Sequence, residues 1–175
     1  MLRETDDRTT FRSGDPDLDR FLSQYAGQNQ FRHHLGTTYV AVEGDRILGY
    51  ATVAAGHVEG EHLPPALRRK LPRYPLPVLR LARLAVDSTA QTRGVGRTLL
   101  RHVFRLALTL AENFGCVGVV VDAKPGAVEF YARFGFSPLE VGEGQMASRP
   151  APSPMFLPLD LIEAALAARA SGDAP

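Results

Sequence analysis

Gln91-Thr92-Arg93-Gly94-Val95-Gly96, followed by Arg97 and Thr98, stands between an apolar, β-rich stretch from Leu81 to Val86 and a long helical pattern. Glycine at 94 and 96 removes the Cβ atoms that would hold a phosphate away from the peptide N–H groups, and the helix that follows contributes its positive end. The ligand implied is a diphosphate. A triphosphate-binding loop would need a Lys-Ser/Thr pair after its second glycine, and a dinucleotide fingerprint would need a third glycine where Leu99 stands. Neither reading fits. Further along, the apolar run Cys116 to Asp122 suits a buried strand and leads through Lys124-Pro125 into Phe130-Tyr131-Ala132-Arg133-Phe134-Gly135-Phe136. Pro125 suits a first helical position and Gly135 a helix C-terminus.

The elements that must position these residues are legible from caps and periods. Asp15 and Pro16 read as the N-cap and first residue of a helix with Leu18, Phe21, Leu22 and Tyr25 on one face. Thr37 to Glu43 and Arg46 to Ala55, joined by Gly44-Asp45, form a predicted hairpin. Residues 63–67 suit a helical turn, and Pro72, Pro75 and Pro77 an extended approach to a strand at 78–86. From Gly96 to Phe114 the positions Leu99, Leu100, Val103, Phe104, Leu106, Ala107, Leu110 and Phe114 make one apolar stripe. Residues 142–154, with their glycines and prolines, predict a mobile loop, and the C-terminus a short helix with a tail fraying from about 165.

At 175 residues and 45% hydrophobic content, residues 1–175 suffice for a single domain with a proper core. No apolar run reaches a membrane span and the charged N-terminus is no signal peptide, which predicts a cytoplasmic protein without a membrane partner. Cys116 is the single cysteine, which excludes an internal disulfide and reads as a packing thiol. The histidines predict no metal site: His33 and His34 are adjacent, His57 and His62 lack a third ligand, and His102 shares a helix face with arginines, where it reads as solvated.

The net charge of +1 conceals an asymmetry, because residues 63–111 hold ten basic side chains against Asp87 alone, a local balance of +9. Arg93 and Arg97 flank the glycine loop, and Arg101 and Arg105 suit a solvated helix face. Arg68, Arg69, Lys70 and Arg73, with Arg83 on the strand, form a basic strip of the kind a polyanion requires.

The strand, the Gln91-x-x-Gly94-x-Gly96 loop and the later Phe-Tyr-x-x-x-Gly-Phe segment, in this order, resemble the GCN5-related N-acetyltransferases, the GNAT superfamily. The resemblance implies an α/β (α+β) fold with a mixed central β-sheet flanked by helices, and acetyl-CoA as donor. It implies that residues 91–98 hold the CoA pyrophosphate, that Leu84, Ala85 and Val86 align the pantetheine arm as an added strand and offer an N–H to the oxyanion, and that Tyr131 is catalytic. A phenol near 10 is protonated at neutral pH and suits proton donation to a leaving thiolate near 8.5. For the base, only the strand-end residues His57 and Glu59 offer themselves, which favours an α-amine acceptor near 7.7 over a lysine near 10.4.

A narrower similarity spans most of residues 8–159. Phe11-x-Ser13-Gly14, Leu18-Asp19-x-Phe21-Leu22, Thr38-Tyr39-Val40-Ala41-Val42, Leu71-Pro72-x-Tyr74-Pro75-x-Pro77-Val78 and Leu84-Ala85-Val86-Asp87 resemble the GNAT-type toxins of bacterial toxin–antitoxin pairs. Residues 28–34 depart from them in being less basic. That similarity implies acetylation of the α-amine of aminoacyl-tRNA, a homodimer, and inhibition by a small ribbon-helix-helix antitoxin. A GNAT enzyme for a small amine or protein N-terminus, and a silent acyl-CoA-binding module, are the alternatives.

Overall fold

The computed structural model describes residues 1–139 and 152–170. Its strands are β1 (Thr37–Glu43), β2 (Arg46–Val58), β3 (Leu76–Val86), β4 (Gly118–Ala123), β5 (Ser137–Pro138) and β6 (Ser153–Pro158). Its helices are α1 (Pro16–Arg20), α2 (Pro65–Arg68), α3 (Val95–Phe114), α4 (Val128–Ala132) and α5 (Leu159–Ala170). The strands form one mixed sheet in the order β1-β2-β3-β4-β6-β5, with helices flanking it, as expected. Packing groups the chain into two compact units, one of residues 1–54 with 81–105 and one of 55–80 with 106–175, and β2, β3 and α3 each run from one into the other. No helix among the described residues is long and apolar enough to cross a membrane.

In the first unit, the hairpin pairs antiparallel from Thr37↔Val53 to Glu43↔Arg46, with a bulge between Ala41 and Val42. Asp15 caps α1 by accepting from the N–H groups of Asp17 and Leu18, which satisfies two donors that a helix start leaves open. The helix then widens into π turns at 21–25 and 28–32. Widening shifts the buried face from every fourth residue toward every fifth. Ala26 is therefore buried beside Phe21 and Leu22, whereas Tyr25, expected on that face, is exposed. The core closes around Tyr50, with the Phe11 ring edge-on at 5.5 Å and the Phe21 ring stacked at 6.1 Å. The buried Tyr50 hydroxyl donates to the Leu18 carbonyl at 2.8 Å, and burial raises its pKa.

The second unit has its core in Val58, Leu63, Leu76, Val78, Val120 and Phe156. β4 and β6 pair antiparallel over six residues each, from Gly118↔Pro158 to Ala123↔Ser153, and β5 adds Ser137↔Phe156.

Several expectations need correction. β3 begins at Leu76, so Pro77 lies inside it, at the second residue, where a missing N–H is tolerated. Cys116 lies before β4 rather than in it; it is buried, and its thiol donates to the Gly118 carbonyl at 3.2 Å. Phe114 closes the apolar stripe in sequence but is 85% exposed at the last turn of α3, next to Gly115 at φ +88°. His102 is half-buried rather than solvated, its ring edge-on to Tyr39 at 4.4 Å. Helix α5 continues to Ala170, past the expected fray at 165. Of the loop expected at 142–154, residues 142–151 lie outside the described residues, and Ser153 and Pro154 belong to β6.

Candidate active site

Helix α3 begins as the glycine spacing predicts. The Gly94 carbonyl accepts from the Thr98 N–H at 3.0 Å, which starts the helical ladder and leaves the peptide N–H groups of 95–97 without carbonyls inside the helix. Gly94 has φ +81°, a conformation L side chains rarely adopt, and nothing lies within 4 Å of where its Cβ would be. Thr92 also has positive φ, at +67°. Residues 91–94, 97 and 98 are exposed, and Val95 and Gly96 half-buried. Open space at Gly94 and the positive end of a 20-residue helix together fit a diphosphate. The side chains do less than the backbone. The Thr98 hydroxyl donates back to the Gly94 carbonyl at 3.2 Å, Gln91 Nε2 ties the loop to the carbonyls of Ser13 and Val86 at 3.0 and 3.3 Å, and Arg93 pairs with Glu43 at 2.7 Å.

The loop is held by a residue to which sequence reasoning gave no role in the site. Asp87 is 1% exposed. Its carboxylate accepts from the Arg12 N–H at 3.1 Å, the Thr89 N–H at 3.1 Å, the Thr89 hydroxyl at 2.6 Å and Arg46 at 3.0 Å. Its carbonyl accepts from the N–H groups of Ala90 and Gln91. Burial alone would raise its pKa, but these hydrogen bonds and the Arg46 charge outweigh burial and hold it below the usual carboxylate value. The available signal was its position, as the one acid among ten bases, directly after the strand. Gly49 is the second missed residue: a Cβ there would meet Val95 Cγ1 at 2.9 Å and the Ala85 carbonyl at 3.0 Å, so only glycine lets α3 start this close to the sheet.

Leu84 and Val86 are half-buried and Ala85 buried at the end of β3. β3 has 11 residues and β4 has 6, so β3 carries backbone donors and acceptors that β4 cannot pair. Tyr131 sits on α4 between the rings of Phe130 at 5.2 Å and Phe136 at 5.4 Å and is 5% exposed. Its carbonyl accepts from the N–H groups of Phe134 and Phe136, and Gly135, at φ +90°, closes the helix as predicted. Burial raises the phenol pKa, so the group is protonated throughout the physiological range.

The basic residues separate. Arg68, Arg69, Lys70 and Arg73 are exposed in the second unit, where Arg68, Arg69 and Arg73 line a recess of about 630 Å³. Arg83 instead lies in the first unit with its guanidinium 3.8 Å from the centroid of the Phe21 ring. Arg80 pairs with Asp122. His57 and Glu59, the candidate bases, face each other at 3.9 Å in an exposed pair.

Residues 34–138 match the profile of the acetyltransferase (GNAT) domain. The chain belongs to the GNAT acetyltransferase family. A tRNA-acetylating toxin of Mycobacterium tuberculosis (strain ATCC 25618 / H37Rv) is 35% identical over 136 residues, which span 77% of this chain and 81% of that protein. Among solved structures, AtaT complexed with acetyl-methionyl-tRNAfMet superposes with a TM-score of 0.79 at 28% identity, covering 91% of this chain and 92% of that one. A Tyr-to-Phe mutant of the AtaT toxin bound to the C-terminus of the antitoxin AtaR gives 0.74 at 25% identity, covering 91% and 89%. As a GNAT member the protein is an N-acetyltransferase, and acetyl-CoA is its donor.

Proposed function

We propose that this GNAT enzyme acetylates the α-amine of aminoacyl-tRNA and so blocks translation as a toxin. The observation that carries the reading is the 35% identity to a tRNA-acetylating toxin across 77% of the chain, a stretch far longer than the donor loop. The exposed arginines at 68–73 and the local balance of +9 supply the electrostatics a tRNA requires.

The residues divide the work as follows. Backbone N–H groups at 95–97, with Gly94 and Gly96 giving access and Arg93 and Arg97 adding charge, hold the pyrophosphate. Main-chain groups of Leu84, Ala85 and Val86 pair with the pantetheine amides and offer an N–H to the developing oxyanion. The amine nitrogen bonds to the thioester carbonyl carbon, the carbon–sulfur bond breaks, and Tyr131 Oη gives its proton to the leaving sulfur while the amine sheds its own to solvent. An α-amine is already partly neutral near pH 7.7, so no buried base is required. The exposure of His57 and Glu59 agrees with that economy.

The same reading takes residues 1–175 as one cytoplasmic domain that dimerises and is silenced by a small ribbon-helix-helix antitoxin; AtaT bound to the C-terminus of AtaR supports the antitoxin. Cell-free translation with purified protein tests the proposal. Inhibition that requires both acetyl-CoA and Tyr131 is the expected result. Undisturbed translation by protein that still binds acetyl-CoA would overturn it in favour of a small amine or protein N-terminus.

A further inference from the structure

In the first unit, the N-terminal segment and the helical stretch that follows α1 enclose a recess of about 330 Å³, at the small end of ligand pockets. Its helical wall is two columns at a spacing of four, Gln24-Gln28-Arg32 and Ser23-Gly27-Phe31, and Glu4 and Arg8 line it from the segment. The π turns at 21–25 and 28–32 stand on either side of Gly27, a departure from regular helix that is frequent at functional sites. Gln30 ties the two walls together. Its buried amide donates to the Leu2 carbonyl at 3.0 Å and accepts from the Thr38 N–H at 2.8 Å. Around Arg8 the segment is fixed by a turn in which the Asp7 carboxylate accepts from the Thr9 N–H at 2.8 Å.

Gly27 has φ −64° and ψ −46°, ordinary helical values that do not ask for glycine, and glycine inside a helix is weaker than alanine. What its missing side chain leaves room for is Arg8. A Cβ on Gly27 would collide with Arg8 Nη1 and lie 3.5 Å from Arg8 Cζ, so the guanidinium rests against the helix backbone at the recess. Arg12, Arg20, Arg46 and Arg93 in the same unit each find a carbonyl or carboxylate. Arg8 and Arg32 have no ion pair or hydrogen-bond acceptor for their guanidinium groups among the described residues, and the side chains of Gln24 and Gln28 are equally uncommitted there. Glu4, the one acid of the lining, makes no ion pair among the described residues, so two guanidinium groups stand against one carboxylate.

Guanidinium forks match the oxygens of a phosphate, and two of them suit a group that carries close to two negative charges. The amides of Gln24 and Gln28 add donors for the remaining oxygens, and the half-buried Phe31 offers an apolar wall to the carbon attached to them. A phosphodiester, with one charge, cannot satisfy both arginines. We propose that this recess binds a small phosphate monoester, its dianionic head held by Arg8 and Arg32 and its carbon skeleton against Phe31. The inference does not depend on which amine the enzyme acetylates.

Calorimetric titration of the full-length protein with phenyl phosphate tests the site, with acetyl-CoA at saturation so that the donor site is occupied. The wild type should bind phenyl phosphate more tightly than inorganic phosphate, which lacks carbon for Phe31, and more tightly than methyl phenyl phosphate, a diester with one charge. Arg8→Gln and Arg32→Gln should each weaken phenyl phosphate roughly 10- to 150-fold, the span of a hydrogen bond to a charged group, with acetyl-CoA affinity unchanged as proof of folding. Glu4→Gln should strengthen it by removing the opposing charge. Gly27→Ala separates the site from fold stability, because the added methyl should raise the melting temperature while displacing the Arg8 guanidinium and weakening phenyl phosphate. No binding by the wild type, or binding that the arginine variants leave unchanged, overturns the proposal. So does succinate bound as tightly as phenyl phosphate, which would make the occupant a dicarboxylate, or weaker binding in Glu4→Gln, which would make it a zwitterion. Arginine variants that lose tRNA affinity, in a protein that ignores phenyl phosphate, would return Arg8 and Arg32 to the nucleic-acid surface and overturn it as well.

Discussion

At the scale of single residues, buried Tyr131 and half-buried His102 set testable pH behaviour. Tyr131 is buried, and burial raises its pKa above the ordinary 10. Replacement by phenylalanine should leave acetyl-CoA affinity intact and lower turnover by roughly 10²–10⁴-fold, the range for a general acid; unchanged turnover would remove Tyr131 from the mechanism. Because the phenol stays protonated, wild-type activity should climb with pH through the acceptor amine, which its ester places below the ordinary α-amine value of about 7.7, and show no alkaline fall before about pH 10. His102 behaves oppositely. Its Nε2 is buried without a hydrogen-bond partner among the described residues, and burial, then the N-terminal ammonium and Arg105, lower its pKa. A histidine whose folded pKa lies below its unfolded value stabilises the fold fully above about pH 6.5 and loses that contribution as pH falls through the folded pKa. In His102→Phe, which keeps an aromatic ring against Tyr39, the melting temperature should therefore drop less between pH 7 and pH 5 than in the wild type. Parallel melting curves would show that His102 has no such role.

At the scale of elements, the donor cradle is only as good as the turn that precedes α3. Asp87 gathers β2, through Arg46, and residues 12 and 89 onto its carboxylate, and residues 90 and 91 onto its carbonyl. Hydrogen bonds to a charged group are worth about 1.5–3 kcal/mol, and the exposed side of Arg46 adds little. Asp87→Asn should cost roughly 2–3 kcal/mol by urea unfolding at pH 7 and weaken acetyl-CoA binding through the loosened loop. The carboxylate's depressed folded pKa stabilises above its unfolded value near 3.9 and is lost as pH falls below it, so the gap between wild type and Asp87→Asn should close under strongly acid conditions. A gap constant with pH would mean that packing rather than charge is responsible. The π turns after α1 show the same dependence at lower stakes, since one widened turn exchanged Tyr25 for Ala26 in the core.

At the scale of the whole molecule, charge is distributed by task. Arg80 is tied to Asp122 and Arg83 lies over Phe21, whereas Arg69, Lys70 and Arg73 stand exposed. Replacing Arg68, Arg69 and Lys70 together by alanine should weaken tRNA binding and lower the slope of log affinity against log salt by about 2–3, with acetyl-CoA affinity unaffected. An equal loss for both ligands would indicate a damaged fold instead of a lost phosphate surface.

What the sequence determined by itself is whatever local chemistry decides. Gly94 is needed for its φ of +81°, Asp15 caps α1, Gly44-Asp45 turns the hairpin, and Gly135 closes α4, each through backbone preferences acting over a few residues. The order of the two motifs was enough to indicate the family, which the match over residues 34–138 shows. What only the tertiary structure decided depends on partners distant in the chain. The anchoring of Asp87 by Arg12 and Arg46, the close approach across Gly49, the packing of His102 against Tyr39 and the capture of Arg83 by Phe21 all join residues dozens of positions apart. Periodicity assigns a side chain to a face, but which neighbour fills that face, and whether a charge is spent there, is fixed when the elements pack.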